Sequence, residues 1–372
     1  MTAQINRSVT KLPESQIRHI MELGRRMEGA IPLWFGEGDE PTPDFIKEAA
    51  VAALREDKTF YVPNNGVPEL RQAIAAYMST LYGRNISDER ITVSTSGMHG
   101  IMLAYQTILD PGDKVVIIGP IWPNAVHAAE VLGASAEIVP LRETGGEWKV
   151  DLDRLFDALG DGAKALFINS PNNPTGTPES LEVIETALLL SDGVVVVDEA
   201  YGQFADFTAL DLLRGPYASE SLIVTRTFSK TWSMAGARLG YCVAPSWMLP
   251  EFEKVVLPYH LDSVKQIAGR VALRFHDEME HRVRQLGSER DRVAAALTDL
   301  GLDVWPSQAN FIMFRTTPCS VSGDHVWQRL VDQSVLIRNC SNWPGLSDCL
   351  RITLGTESEN HIFLEALKEA LT

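Results

Sequence analysis

The chain has 372 residues, 45% of them hydrophobic and 22% charged, with a formal net charge of −16. That is enough chain to bury a large core, and its length points to two domains. The acidic balance argues against nucleic acid and an anionic membrane surface as partners, since both demand basic surface, and no apolar run reaches the length of a membrane span.

The amino terminus, Met1 to Ser8, has no apolar core of the secretory kind, so the chain is expected to stay where it is made, in the cytoplasm. The segment Leu33-Trp34-Phe35-Gly36-Glu37-Gly38-Asp39-Glu40-Pro41 and the later Phe60-Tyr61-Val62-Pro63-Asn64-Asn65-Gly66 are rich in turn residues. From Ile91 the texture alternates. Strands are expected over Ile91 to Thr95, Val115 to Ile118 and Ala136 to Val139, with helices over His99 to Leu109 and Ala125 to Leu132 between them. Further strands are expected over Ala165 to Ile168, Val194 to Val197, Leu222 to Thr225 and Gly240 to Val243. Alternation of this kind implies crossover units: an α/β fold with a mostly parallel sheet and helices on both faces. After Leu261 a long charged helical stretch runs over Val271 to Leu300, then short strands, then a closing helix from Glu357 to Ala370.

Several strand ends carry chemistry. Ser94-Thr95-Ser96-Gly97-Met98-His99-Gly100 ends a strand in small residues and opens a helix, a place where free N–H groups and the helix dipole hold an anion, although an ordinary serine cap would look the same. Trp122 follows the next strand, in Gly119-Pro120-Ile121-Trp122-Pro123-Asn124. Asn169-Ser170-Pro171-Asn172-Asn173-Pro174-Thr175-Gly176 is a turn-rich loop after a buried strand, and Val194 to Val197 runs directly into Asp198-Glu199-Ala200-Tyr201. Alternation along the strand turns Glu199 away from the face that Asp198 uses.

The densest stretch is Thr227-Phe228-Ser229-Lys230-Thr231-Trp232-Ser233, with Arg238 eight residues after Lys230. A lysine held between an apolar strand and a small-residue turn, beside a second cation, can lose its charge, and a neutral amine condenses with an aldehyde. Pyridoxal phosphate is the aldehyde these residues suit: hydroxyls at Thr227, Ser229 and Ser233 with the Arg238 fork suit its phosphate, and Asp198 suits its protonated ring nitrogen. Taken alone, the Ser-Lys pair would also fit a polar turn.

Together, Asn-Asn-Pro-Thr-Gly at 172 to 176, Asp-Glu-Ala-Tyr at 198 to 201, and Ser229-Lys230 with Arg238 resemble, in order and spacing, the fold type I pyridoxal-phosphate aminotransferases of class I/II. The resemblance extends over nearly the whole chain, with Gly38 standing where that family usually has proline. It implies a large cofactor-binding domain over 45–285 and a smaller α/β domain from 1–44 and 286–372. It also implies a ping-pong cycle in which Lys230 is the Schiff-base amine and then the base that moves the substrate proton. Asp198 would pair with the ring nitrogen, and Tyr201 and Asn173 with the ring's phenolic oxygen. Gly97, Met98, His99, Thr227, Ser229 and Arg238 would hold the phosphate, and Trp122 would stack on the ring. Tyr61 matches a tyrosine sent across a dimer interface to the neighbouring phosphate, which implies a homodimer with shared sites. Arg351, with Gly36 and Asn173, would hold the substrate carboxylate.

An L-amino acid and a 2-keto acid are thus the expected substrates, with an apolar or aromatic side chain preferred. The carboxyl third offers an alternative: Arg338, thirteen residues before Arg351, resembles the phosphate-binding arginine of histidinol-phosphate aminotransferases. A lyase or decarboxylase on the same scaffold would share every motif. A non-catalytic cofactor sensor would need an added basic DNA-binding module, and no such segment precedes residue 30. No metal is expected, because His276 and His281 are five apart and the four cysteines, Cys242, Cys319, Cys340 and Cys349, show no ligand spacing; they read as reduced thiols.

Overall fold

In the computed structural model, which describes residues 5–13, 16–37, 40–214 and 220–372, two sheets organise the chain. The strands in chain order are β1 (Ile31–Leu33), β2 (Ile91–Ser94), β3 (Lys114–Gly119), β4 (Ser135–Thr144), β5 (Glu147–Val150), β6 (Ala165–Asn169) and β7 (Val194–Asp198). They continue as β8 (Leu222–Thr227), β9 (Gly240–Val243), β10 (Asp303–Val304), β11 (Phe311–Arg315), β12 (Val335–Asn339) and β13 (Cys349–Thr353).

The larger sheet has the order β2-β9-β8-β7-β6-β3-β4-β5. Its centre, β8-β7-β6-β3-β4, is parallel, while β9 runs antiparallel to both of its neighbours and β5 returns from β4 as a hairpin. The central strands are near-continuous apolar runs because helices cover both faces. Val195 and Val197 face one buried cluster and Val196 the opposite one, all with no exposed surface.

The smaller sheet, β1-β12-β13-β11-β10, draws its first strand from the amino-terminal segment and the rest from the carboxyl third. One helix, His276–Asp299, serves both sheets: Met279 belongs to the larger core, Leu286, Val293 and Leu297 to the smaller.

Two expectations are corrected in detail. The single helical stretch expected over Val271 to Leu300 is two helices, Ser263–Arg274 and His276–Asp299, separated at Phe275, whose φ of −107° and ψ of 40° close the first and open the second. The strand expected to stop at Val139 runs on to Thr144 and turns through Gly145 and Gly146, both at positive φ, into β5.

Candidate active site

The parallel strands β6, β7 and β8 end side by side, and their last residues or the loops that follow build one wall of a cavity of about 220 Å³. Ligand clefts in parallel sheets lie outside these carboxyl ends, since the chain leaves the strands there with backbone and side chains free to converge. Lys230 projects into the cavity. Its Nζ donates to the Phe35 carbonyl at 3.4 Å and lies 5.6 Å from the centre of the Tyr201 ring. Gly36, at a φ of +67°, covers it: a Cβ there would stand 3.0 Å from the Tyr201 hydroxyl and 3.7 Å from Lys230 Nζ. Asn310 Nδ2 donates to the Gly36 carbonyl at 3.1 Å and the Gly36 N–H donates to Thr353 Oγ1 at 2.8 Å, fixing that close approach.

Asp198 sits at the base with 6% of its surface exposed. Burial pushes its carboxyl up to about 6 although Thr225 Oγ1 donates to it at 2.8 Å, so it calls for a positive partner. Glu199 faces away. It is buried against the Arg226 guanidinium and also accepts from Thr208 Oγ1 and the Ala209 N–H.

Another part of the cavity wall suits an anion. Ser96 caps the helix Gly97–Ile108 by accepting from the His99 N–H, and the first-turn N–H groups of Gly97 and Met98, which line the cavity, have no acceptor within the helix. Thr227, Ser229 and Arg238 line the cavity as well, with Thr227 Oγ1 donating to Ser229 Oγ at 2.8 Å. Strand β9 passes directly beneath this cradle at Gly240, where a Cβ would fall 2.6 Å from Ser96 C and 2.7 Å from Gly97 N. His99 is turned aside: its Nδ1 accepts from the Thr95 N–H, its ring meets that of His260 at 4.8 Å, and burial with the nearby His260 and Lys265 charges lowers it to about 4.

Trp122 lines the wall, and its backbone N–H donates to the Asn173 carbonyl at 3.1 Å, tying the turn after β3 to the loop after β6. Arg351 and Arg338 are register partners on β13 and β12, and both line the cavity. Arg351 Nη1 donates to Asn173 Oδ1 at 2.5 Å and Nη2 to the Trp34 carbonyl at 2.6 Å, while its buried Nε has no hydrogen-bond partner among the described residues. Arg338 lies 5.7 Å from the Trp343 ring centre, and burial, with Arg351 nearby, pushes its pKa down.

The residues fit pyridoxal phosphate on their own chemistry. A buried carboxyl, an amine, a flat aromatic face and an anion cradle share one cavity, and the absence of a Cβ at Gly97 leaves open the space between the cradle and the Asp198 carboxyl, whose Oδ1 such a Cβ would approach to 3.8 Å. Of the expected residues Tyr61 stands outside this cavity, 82% exposed and stacked on Tyr259; His99 does not line it, Ser233 lines a different one, and Gly38 and Asp39 lie outside the described residues. Sequence reasoning overlooked Asn169 and Thr225, which flank Asp198, and Trp343, which backs Arg338.

Residues 31–367 match the aminotransferase class I and II family, and the chain belongs to that family, whose members depend on pyridoxal phosphate. It is 34% identical over 309 residues to a histidinol-phosphate aminotransferase of Corynebacterium efficiens, covering 82% of this chain and 80% of that one. It is 33% identical over 315 residues to an aspartate aminotransferase of Pyrococcus horikoshii, with the same coverage. Among solved structures, a double mutant of Thermus thermophilus aspartate aminotransferase superposes with a TM-score of 0.86 at 27% identity, over 99% of this chain and 100% of that one. The Escherichia coli protein YbdL, described as a methionine aminotransferase, superposes at 0.89 and 22% identity over 99% and 100%, a likeness of fold alone.

Proposed function

We propose that this class I and II aminotransferase takes its amino group from a donor bearing a phosphate monoester, histidinol phosphate foremost, and passes it to a 2-keto acid. The observation that carries this reading is the arginine pair: two guanidiniums side by side on one cavity wall, neither with a carboxylate partner among the described residues. A buried cation without a counterion is costly, and two together call for a dianion. The histidinol-phosphate aminotransferase relatives support it, and Trp343 and Phe35 give an aromatic donor a wall to lie against.

When bound, pyridoxal phosphate supplies an aldehyde that condenses with amines and a ring that accepts electron density from the substrate carbon. The protein does the rest. Lys230 Nζ is the amine that holds the resting cofactor, and once displaced it takes the proton from the donor carbon. Asp198 holds a proton on the ring nitrogen, and Tyr201 Oη with Asn173 orients the ring's phenolic oxygen. Arg351 and Arg338 fork onto the donor's anion. A second reading, an amino acid with an aromatic side chain whose single carboxylate binds Arg351, is favoured by the same aromatic wall.

We further propose a homodimer in which Tyr61 reaches the partner's phosphate cradle, because Phe60, Tyr61, Leu257 and Tyr259 form an exposed apolar patch that a second copy would cover. The test of substrate is kcat/KM for histidinol phosphate, phenylalanine and aspartate against 2-oxoglutarate. The phosphorylated donor should lead by at least about tenfold, as one charge-assisted contact would give. Phenylalanine leading would overturn the phosphate reading and leave amino transfer intact.

A further inference from the structure

We infer that Asn169 is a positioning residue which, through one carboxamide, fixes both the carboxylate that pairs with the cofactor ring and the loop that presents Asn173 to the donor's anion site. This rests on the aminotransferase assignment and not on which donor is used. Asn169 is the last residue of β6 and the register partner of Asp198 on β7; Thr225 on β8 is the partner of Asp198 on the other side. Three parallel strands therefore set donor, carboxylate and donor side by side in register.

The Asn169 Nδ2 donates to the Asp198 carbonyl at 2.9 Å and to Asp198 Oδ2 at 3.3 Å, while Thr225 Oγ1 donates to Oδ1 at 2.8 Å. Each carboxylate oxygen thus has one neutral donor, which favours the ionised form that a protonated ring nitrogen needs. The other end of the carboxamide is also in use, since Asn169 Oδ1 accepts from the Asn173 N–H at 2.7 Å. Reversing the amide would set its oxygen against two oxygens and its NH₂ against an N–H, so with 5% of the residue exposed it has one way to lie. Asn173 in turn accepts from Arg351 through Oδ1. A chain of side chains and backbone therefore runs from Asp198 through the Asn169 carboxamide to the Asn173 N–H, and from the Asn173 carboxamide to Arg351.

The test uses two variants of the holoenzyme. Asn169→Asp keeps the shape and the acceptor for the Asn173 N–H but exchanges the donor for a second carboxyl beside Asp198. Asn169→Ala removes both ends. Weakening the ionised Asp198 leaves less positive charge on the ring, so the pH midpoint of the lysine-bound cofactor's visible absorbance should rise, by about half a unit or more. Both variants should show that rise and should bind cofactor about two- to tenfold more weakly to the apoprotein, the scale of one lost hydrogen bond. Only Asn169→Ala should also raise KM for the donor, because only it releases the Asn173 loop. A residue with a merely structural role would lower the melting temperature and leave the absorbance midpoint where it is. Should the alanine variant fail to fold, the isosteric Asn169→Asp variant decides alone: a wild-type midpoint and wild-type cofactor affinity overturn the proposal.

Discussion

Asp198 and Arg338 are buried ionisable groups whose counterions, in the function we propose, come with ligands, and this sets two expectations. Burial raises the Asp198 carboxyl from 3.8 to about 6. An acid raised on folding contributes stability that is full below pH 4 and lost as pH climbs through 6, about 3 kcal/mol over two units. His99 runs the other way: held at about 4, it contributes fully above pH 6.5 and loses that as pH falls through 4. Comparing the wild-type apoprotein with Asp198→Asn cancels the His99 part. The variant should be the more stable of the two at pH 8, with the gap closing by pH 4, yet its activity should drop at least about a hundredfold, since the ring nitrogen loses its partner. Thermal melts across pH, with specific activity on the same preparation, check both; a gap that does not vary with pH contradicts the account. For Arg338→Ala, KM for a phosphorylated donor should rise about ten- to a hundredfold, the 1.5 to 3 kcal/mol of a charge-assisted contact. An unchanged KM would make Arg338 structural. Most of the cavity-lining residues were legible in the sequence because they follow β-branched strands as short motifs. Asn169 and Trp343 were not, as the first depends on strand register and the second on the turn after β12 that brings the Trp343 ring back to Arg338.

At the level of elements, the meeting of β9 with the helix Gly97–Ile108 shapes the anion cradle. Gly240 allows it, and the atoms a Cβ would strike there are all backbone: Ser96 C at 2.6 Å, Gly97 N at 2.7 Å and the Arg226 carbonyl at 2.8 Å. Gly240→Ala should therefore cost about 1 to 3 kcal/mol of stability and weaken cofactor retention on dialysis, whereas Gly236→Ala, with nothing within 4 Å of its Cβ, should do neither. Equal behaviour of the two variants would contradict this geometry. The parallel strands were readable from their apolar runs, which only a sheet covered on both faces requires. The break at Phe275 was not readable, because no glycine or proline marks it and the charged pattern continues across. The β4–β5 hairpin carries its signal in Thr144-Gly145-Gly146-Glu147, a pair of glycines suited to a tight turn.

For the molecule as a whole, we propose two units that divide within the helix His276–Asp299, between Met279 in one core and Leu286 in the other, with the cavity between them. The proposed dimer joins two such molecules through the patch at Phe60 and Tyr61. Tyr61→Phe should weaken cofactor retention, and mixing it with Lys230→Ala under subunit exchange should restore activity through heterodimers with one intact site. Absence of complementation despite proven exchange would mean that Tyr61 serves its own subunit. The cradle, the arginine pair and Lys230 line one cavity, and Lys230 Nζ is the most direct place to test the account. Borohydride reduction of the holoprotein, followed by proteolysis and mass mapping, should place the cofactor on the peptide containing Lys230 and leave Lys230→Ala unlabelled. Label on another lysine, or an alanine variant that still carries it and turns over at the wild-type rate, would contradict the assignment.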